Sequence, residues 1–295
     1  QKAMKRPSYL QCQRSRSGVS HISHQFGQYP IKFLCRASRK LAAGDCDCVQ
    51  VTLLNYGGGI LGGERLETRI GVDRGAGIHI CTAGATKIYK LQHGGSRSEQ
   101  VLHVRCREGS LTALLPHHIS AFAGSAYRQL QRFELEKAAS LVLLDWVSSG
   151  RSGRGEHWSF LELQTVNQVA YDGKILLNDA LELRQEQCLA GVGDVAARLR
   201  GYDVFGALFA IGPRVRALVE HVAAIRRRKS YQDIEKRHAS VHKLEGDEDD
   251  ARNGDDTTGW EGWREQGVRF SISELKSGSE AQWSNEEMEV CSESL

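Results

Sequence analysis

Three carboxylates stand where an acid is hard to place. Glu64 closes a turn containing Gly57, Gly58, Gly59, Gly62 and Gly63, Asp145 interrupts the apolar run 141–147, and Asp179 interrupts the run 175–183. An unpaired carboxylate is costly to bury, so each must meet a base, reach water at a strand end, or line a hydrated cavity. Arg65, Arg151 and Arg184 are candidate bases, so ion pairing and a wet cavity are open alternatives. Softer ligands are also present: Cys46 and Cys48 as a C-x-C pair, His93 in a glycine-containing loop, and His117-His118 after Pro116. A tight metal site needs three or four convergent groups. Cys46 and Cys48 have no further ligand nearby in sequence and read as structural, while His93 reads as exposed. Neighbours on a strand point to opposite faces, so His117 and His118 read as one solvent-facing and one packed side chain.

The glycine turn invites a nucleotide. Gly57, Gly59 and Gly62 fit G-x-G-x-x-G by letter, a fingerprint that works only when a helix follows to hold the pyrophosphate on its first amides. Here the next residues put Leu66, Thr68, Ile70 and Val72 on one parity and Glu67, Arg69, Gly71 and Asp73 on the other, the period of a strand. Neither a G-x-x-x-x-G-K-[ST] loop nor a G-x-S-x-G elbow occurs, and H-E-x-x-H, C-x-x-C and EF-hand patterns are missing too. The expectation is a protein that is not an enzyme and holds no cofactor tightly. The alternatives are a nucleotide-dependent enzyme using the 57–63 loop, and a plain β adaptor without a metal role.

Such residues need a frame. The 295 residues are 40 % hydrophobic and 25 % charged, with 31 glycines against 4 prolines, so glycine supplies the turns of a globular body. A net charge of +3 gives no case for nucleic acid, and no apolar run is long enough to cross a bilayer. Eight cysteines without framework spacing fit reduced thiols and a cytoplasmic setting. Strand patterns recur at 49–55, 66–72, 77–83, 100–107, 111–115, 127–136, 141–147, 158–169 and 175–183, the mark of a mainly β fold. The stretch 127–136 alternates least cleanly, with Phe133 and Leu135 as its apolar end. Short helices are expected at 194–200, capped by Asp194, and after Pro213, where Val215, Leu218, Val219, Val222 and Ile225 share a face. By segment, 1–20 reads as a disordered tail or fragment edge and 21–225 as the β domain with its C-terminal helix. Residues 226–262 read as a charged disordered insertion, and 263–295 as a last strand, near 268–272, in a truncated terminus.

Two spaced motifs carry a family resemblance. Gly-Gly-Ile-Leu-Gly-Gly-Glu-Arg-Leu, from Gly58 to Leu66, precedes Gly-Ala-Thr-Lys-Ile-Tyr-Lys, from Gly84 to Lys90 and including Lys87 and Tyr89; Gly150-Arg151 then leads to Gly155-Glu156. Together they resemble the urease accessory proteins called UreD, or UreH in some bacteria, continuously from Tyr29 to Leu183, with an echo at 206–213 and a loss of likeness expected at 226–258. The resemblance implies stacked β-sheets in a β-helix-like arrangement with a pair of short α-helices. It implies a non-enzymatic scaffold that joins apo-urease to the partners UreF and UreG, the latter a GTPase. It also implies an internal hydrated passage for transient nickel (Ni2+), mapping its polar lining onto Glu64, Thr86, Asp145 and Asp179. Oxygen ligands suit such a passage, since nickel is held tightly by imidazole or thiolate.

Overall fold

Period-two alternation, punctuated by glycine, gives strands almost throughout. The computed structural model describes residues 6–37, 47–92, 94–185, 195–199 and 201–224, with the backbone of two short strands further on. In order these are β1 (Ser8–Arg14), β2 (Ser20–Phe26), β3 (Ile31–Arg36), β4 (Val49–Asn55), β5 (Arg65–Val72), β6 (Gly77–Thr82), β7 (Thr86–Ile88), β8 (Ser98–Cys106) and β9 (Leu111–Leu114). There follow β10 (Ile119–Ala121), β11 (Ala126–Leu135), β12 (Ser140–Ser148), β13 (Glu162–Tyr171), β14 (Lys174–Arg184), the short helix α1 (Val195–Arg198), β15 (Val204–Ile211), β16 (Ser271–Glu274) and β17 (Val290–Ser294). A second helix covers 216–224.

The strands form two sheets, ordered β14-β13-β11-β8-β5-β1-β2 and β16-β17-β15-β12-β9-β6-β4-β3. From β4 onward the chain passes from sheet to sheet, and each circuit lays a new strand parallel to the last one in its sheet. Thus β5, β8, β11 and β13 stack in one layer, and β4, β6, β9 and β12 in the other. This is the β-helix-like coil. Antiparallel partners close it: β2 and β14 border the first sheet, β3 and β15 the parallel run of the second. The β13–β14 hairpin turns on Asp172 and Gly173, both at positive φ (47° and 78°), the geometry whose twist matches the flanking strands. In the second sheet β7 and β10 are short extra strands, parallel to one another, and β10 lies along the later part of β12.

Two apolar cores lie between the sheets. One contains Leu10, Ile70, Val104, Phe133, Leu141, Leu143, Val169 and Ile211, the other Ile60, Leu66, Ile88, Tyr127, Val147, Trp158, Phe160 and Leu163. A smaller cluster seats the C-terminal helix, with Val215 and Val219 on Leu111 and Ala210.

The N-terminal segment differs from the expected tail. Residues 8–14 are β1, parallel to β5, with Leu10 and Cys12 fully buried. Only two inward positions of this strand carry apolar side chains while its other face is polar, so its apolar signal is thin. The charged insertion, Asp194, Cys46 and His93 lie outside the described residues.

Candidate functional site

The inward face of the first sheet changes character midway along its strands. Strand β5 presents Leu66, Thr68 and Ile70; β11 presents Tyr127, Gln129, Gln131 and Phe133; β13 presents Leu163, Thr165, Asn167 and Val169. In register, Gln100 stands beside Gln129 and Gln129 beside Thr165, while Gln131 stands beside Asn167 and Asn167 beside Asp179. Polar groups on successive strands therefore align into a belt running across the strands, along the axis of the coil. The two apolar cores flank it. On the opposite sheet Asp145, between inward Leu143 and Val147, faces the belt.

Hydrogen bonds knit this layer together. Gln129 Nε2 donates to Asp145 Oδ1 (3.0 Å), and Asn167 Nδ2 donates to Asp145 Oδ2 (2.8 Å) and Asp179 Oδ2 (3.4 Å). Tyr127 OH donates to Gln100 Oε1 (3.0 Å) and Gln129 Oε1 (3.3 Å). Asp145 thus meets amides rather than a base. The three arginines considered as partners for Glu64, Asp145 and Asp179 are engaged with other acids: Arg65 with Glu99, Arg151 with Glu156, and Arg184 with Glu162 and Glu182. Burial raises the Asp145 pKa above the usual carboxylate value; bonds from Asn167, Thr165 and Gln129 pull it down, and the charge of Asp179 pushes it up again.

Three cavities follow the belt. A vestibule of about 470 Å³ is lined by 57–60, Thr68, 82–87 and Gln100. It shares Leu53, Thr82, Thr86 and Gln100 with a waist of about 40 Å³, whose other walls include His117, Gln129, Gln131 and Asp145. The waist shares Asp145 and Trp146 with a chamber of about 90 Å³ bounded by Thr165, Asp179, Phe205 and Ala207. Three of the four mapped residues, Thr86, Asp145 and Asp179, line this series. Glu64 lines none of the three: its Oε2 accepts the N–H of Leu61 (2.9 Å) and holds the glycine turn.

The sequence motifs converge beside the vestibule, at one corner of the coil. Ile60 bridges to Ile88 in parallel, its N–H donating to Lys87 O (2.8 Å) and its carbonyl accepting the Tyr89 N–H (3.0 Å). Gly59 is required by that approach, because a Cβ there would sit 2.5 Å from Tyr89 Cε2 and 2.6 Å from Lys87 O. The Tyr89 ring meets Phe122 edge-on at 5.4 Å, and the Arg151 guanidinium lies 4.2 Å over Phe122 while pairing with Glu156. Gly150, at φ +119°, brings that loop against Ala121. Gly58 and Gly63 take positive φ, and Gly62 and Gly84 do not.

The paired histidines lie in the link between β9 and β10 and divide into one exposed and one packed side chain. His117 is exposed and bonded to Thr82, while His118 packs against Trp146 with ring centres 5.2 Å apart. Among the described residues no three His, Cys, Asp or Glu side chains converge. Gln129, Gln131, Thr165 and Asn167 were missed by motif reasoning. Gln129 and Gln131 fall in the imperfect alternation at 127–136, where polar residues take the apolar parity, and Thr165 and Asn167 take the same parity on β13.

A family model, described as UreD urease accessory protein, matches residues 9–293. The chain belongs to this family. A urease accessory protein UreD from Anaeromyxobacter is 40 % identical over 212 residues, covering 70 % of this chain and 67 % of that protein. The urease accessory protein D of indica rice is 29 % identical, covering 70 % of this chain but 65 % of its own length. A ureD-like protein of fission yeast is 31 % identical over 226 residues, covering 74 % of each. The chain thus spans about two thirds of the length of the first two relatives. The UreD match starts before Tyr29 and runs past 258, so it brackets the charged segment where loss of likeness was expected. In this UreD chain the diagnostic glycines build a corner, and the polar chemistry lies in the belt beside it.

Proposed function

We propose that this UreD-family chain serves urease maturation as a non-enzymatic scaffold, holding apo-urease together with the accessory proteins UreF and UreG and letting nickel reach the urease active site along the polar belt. The observation that carries this reading is the in-register row of amides, hydroxyls and carboxylates between two dry cores. Such a row exchanges for the water around a passing cation, while Asp145 and Asp179 supply negative charge. The weak grip follows from ligand type: amide and hydroxyl oxygens release a nickel ion that imidazole or thiolate would trap. GTP hydrolysis is assigned to UreG.

The nucleotide reading has less support. The glycine loop is followed by strand β5 rather than a helix, and the space above Gly59 is filled by Tyr89 and Lys87. A cytoplasmic setting is part of the proposal. Cys12, Cys35, Cys81 and Cys106 are free thiols, and burial pushes those of Cys12 and Cys106 up to about 12, which marks them as inert core groups. No described helix is long and apolar enough to cross a membrane.

The test is reconstitution with apo-urease and the other accessory proteins. Asp145→Ala combined with Asp179→Ala should leave partner binding intact and lower the nickel content of urease. Unchanged loading would favour an adaptor without a metal role, and micromolar binding of NAD(P) or GTP by this chain alone would sink the scaffold reading.

A further inference from the structure

Gln131 is a buried side chain that its own structure does not satisfy. It is 4 % exposed, it lines the waist, and its Oε1 has no hydrogen-bond partner. A buried acceptor left unpaired costs stability that a leucine of similar size would not. Gln129 and Gln100, the other amides of the waist, are bonded to Asp145 and Tyr127, while Asn167 Oδ1, also without a partner, lies outside its lining. Gln131 is therefore the waist's spare neutral oxygen, accompanied by Thr86 and the carboxylate of Asp145.

The cavity sizes say what that oxygen meets. A cavity needs about 10–15 Å³ of probe-sized space per water, so the six waters of an octahedral divalent ion need about 60–90 Å³. The 470 Å³ vestibule accommodates that shell, whereas the 40 Å³ waist has room for about three waters. An ion crossing from one to the other must exchange part of its water for protein oxygen.

Building on the passage proposed above, we infer that the waist is a dehydration filter in which Gln131 Oε1, with Thr86 and Asp145, replaces the water of a divalent cation.

The experiment uses the full chain in the complete maturation complex and reads nickel per urease after a fixed short incubation, beside the thermal midpoint of the chain. Gln131→Leu keeps the bulk and removes the oxygen. Loading should fall about tenfold, the midpoint should not fall, and Gln131→Glu should recover most of the loading. Thr165→Leu and Ala207→Leu narrow the 90 Å³ chamber instead and test the passage itself. If these plugs stop loading while Gln131→Leu loads like the wild type, Gln131 satisfies only a trapped water and the filter is wrong, though the passage stands. If plugs and Gln131→Leu all load normally, the passage fails as well. A Gln131→Leu that loses loading and thermal stability together, without rescue by Gln131→Glu, assigns Gln131 a packing role and overturns the filter.

Discussion

The corner built by residues 57–63, 84–90 and 150–156 and the belt built by Gln129, Gln131, Asp145, Asn167 and Asp179 are neighbours that differ in kind. At the corner backbones press together: glycine is needed because Tyr89 and Lys87 occupy the place of a Cβ at Gly59, and Arg151 is spent on Glu156 and Phe122. In the belt the backbone is ordinary sheet, parallel from β11 to β13 and antiparallel at β14, and the side chains break the rule that inward positions are apolar. A residue pattern that can be written as a motif here specifies a shape. The groups able to handle an ion are instead scattered one or two to a strand and become a site only when the coil brings the strands into register.

Substitutions at the two places should separate accordingly. The largest stability loss is expected for Gly59→Val, whose new atoms meet backbone as well as the Tyr89 ring. It should cost about 3 kcal/mol in urea denaturation, with nickel transfer per folded molecule unchanged. Asn167→Leu removes the donor shared by Asp145 and Asp179 and leaves a buried carboxylate short of a partner. About 2 kcal/mol should be lost, this time with impaired nickel loading.

A pH signature belongs to the belt alone. Because burial raises the Asp145 pKa above its unfolded value, the folded state holds the proton more tightly. Stability should then fall as pH rises from the ordinary carboxylate value to the raised one, and level off above it. Denaturation across that window should show the fall in the wild type and a flatter profile in Asp145→Asn. Smaller effects return to the corner. Gly58→Ala, at φ +70° in open space, should cost about 1 kcal/mol, and Gly84→Ala, open and without positive φ, should stay within about 0.5 kcal/mol in the same assay. A Gly84→Ala variant as damaged as Gly59→Val would erase the distinction between a tight and an open glycine.

Much of this frame is visible in the chain itself. Strand β4 coincides with the alternation at 49–55, and β5, β8, β9, β12 and β14 lie within a residue or two of their patterns, because one apolar face per strand is a strong period-two signal. Strand β1 was hidden by its polar outer face, and β7 and β10, three residues each, are too short to show a period. The site was legible only at Asp145 and Asp179, where an acid interrupts an apolar run, and at Thr86 through the motif it shares. Gln129, Gln131 and Asn167 only blur the alternation, because Leu130 and Val166 beside them put apolar side chains on the outer parity, and they become a group only once strand register is known. Glu64 is conspicuous beside the glycines, and its Oε2 accepts the N–H of Leu61 within the turn.

The most direct test of an ion path in the belt is to soak crystals of the full chain in a nickel salt and record anomalous scattering at the nickel absorption edge. The path predicts peaks in the vestibule beside Thr86 and in the waist between Gln131 and Asp145. Nickel confined to surface histidines such as His21 and His24, with ordered water alone along the belt, would contradict it.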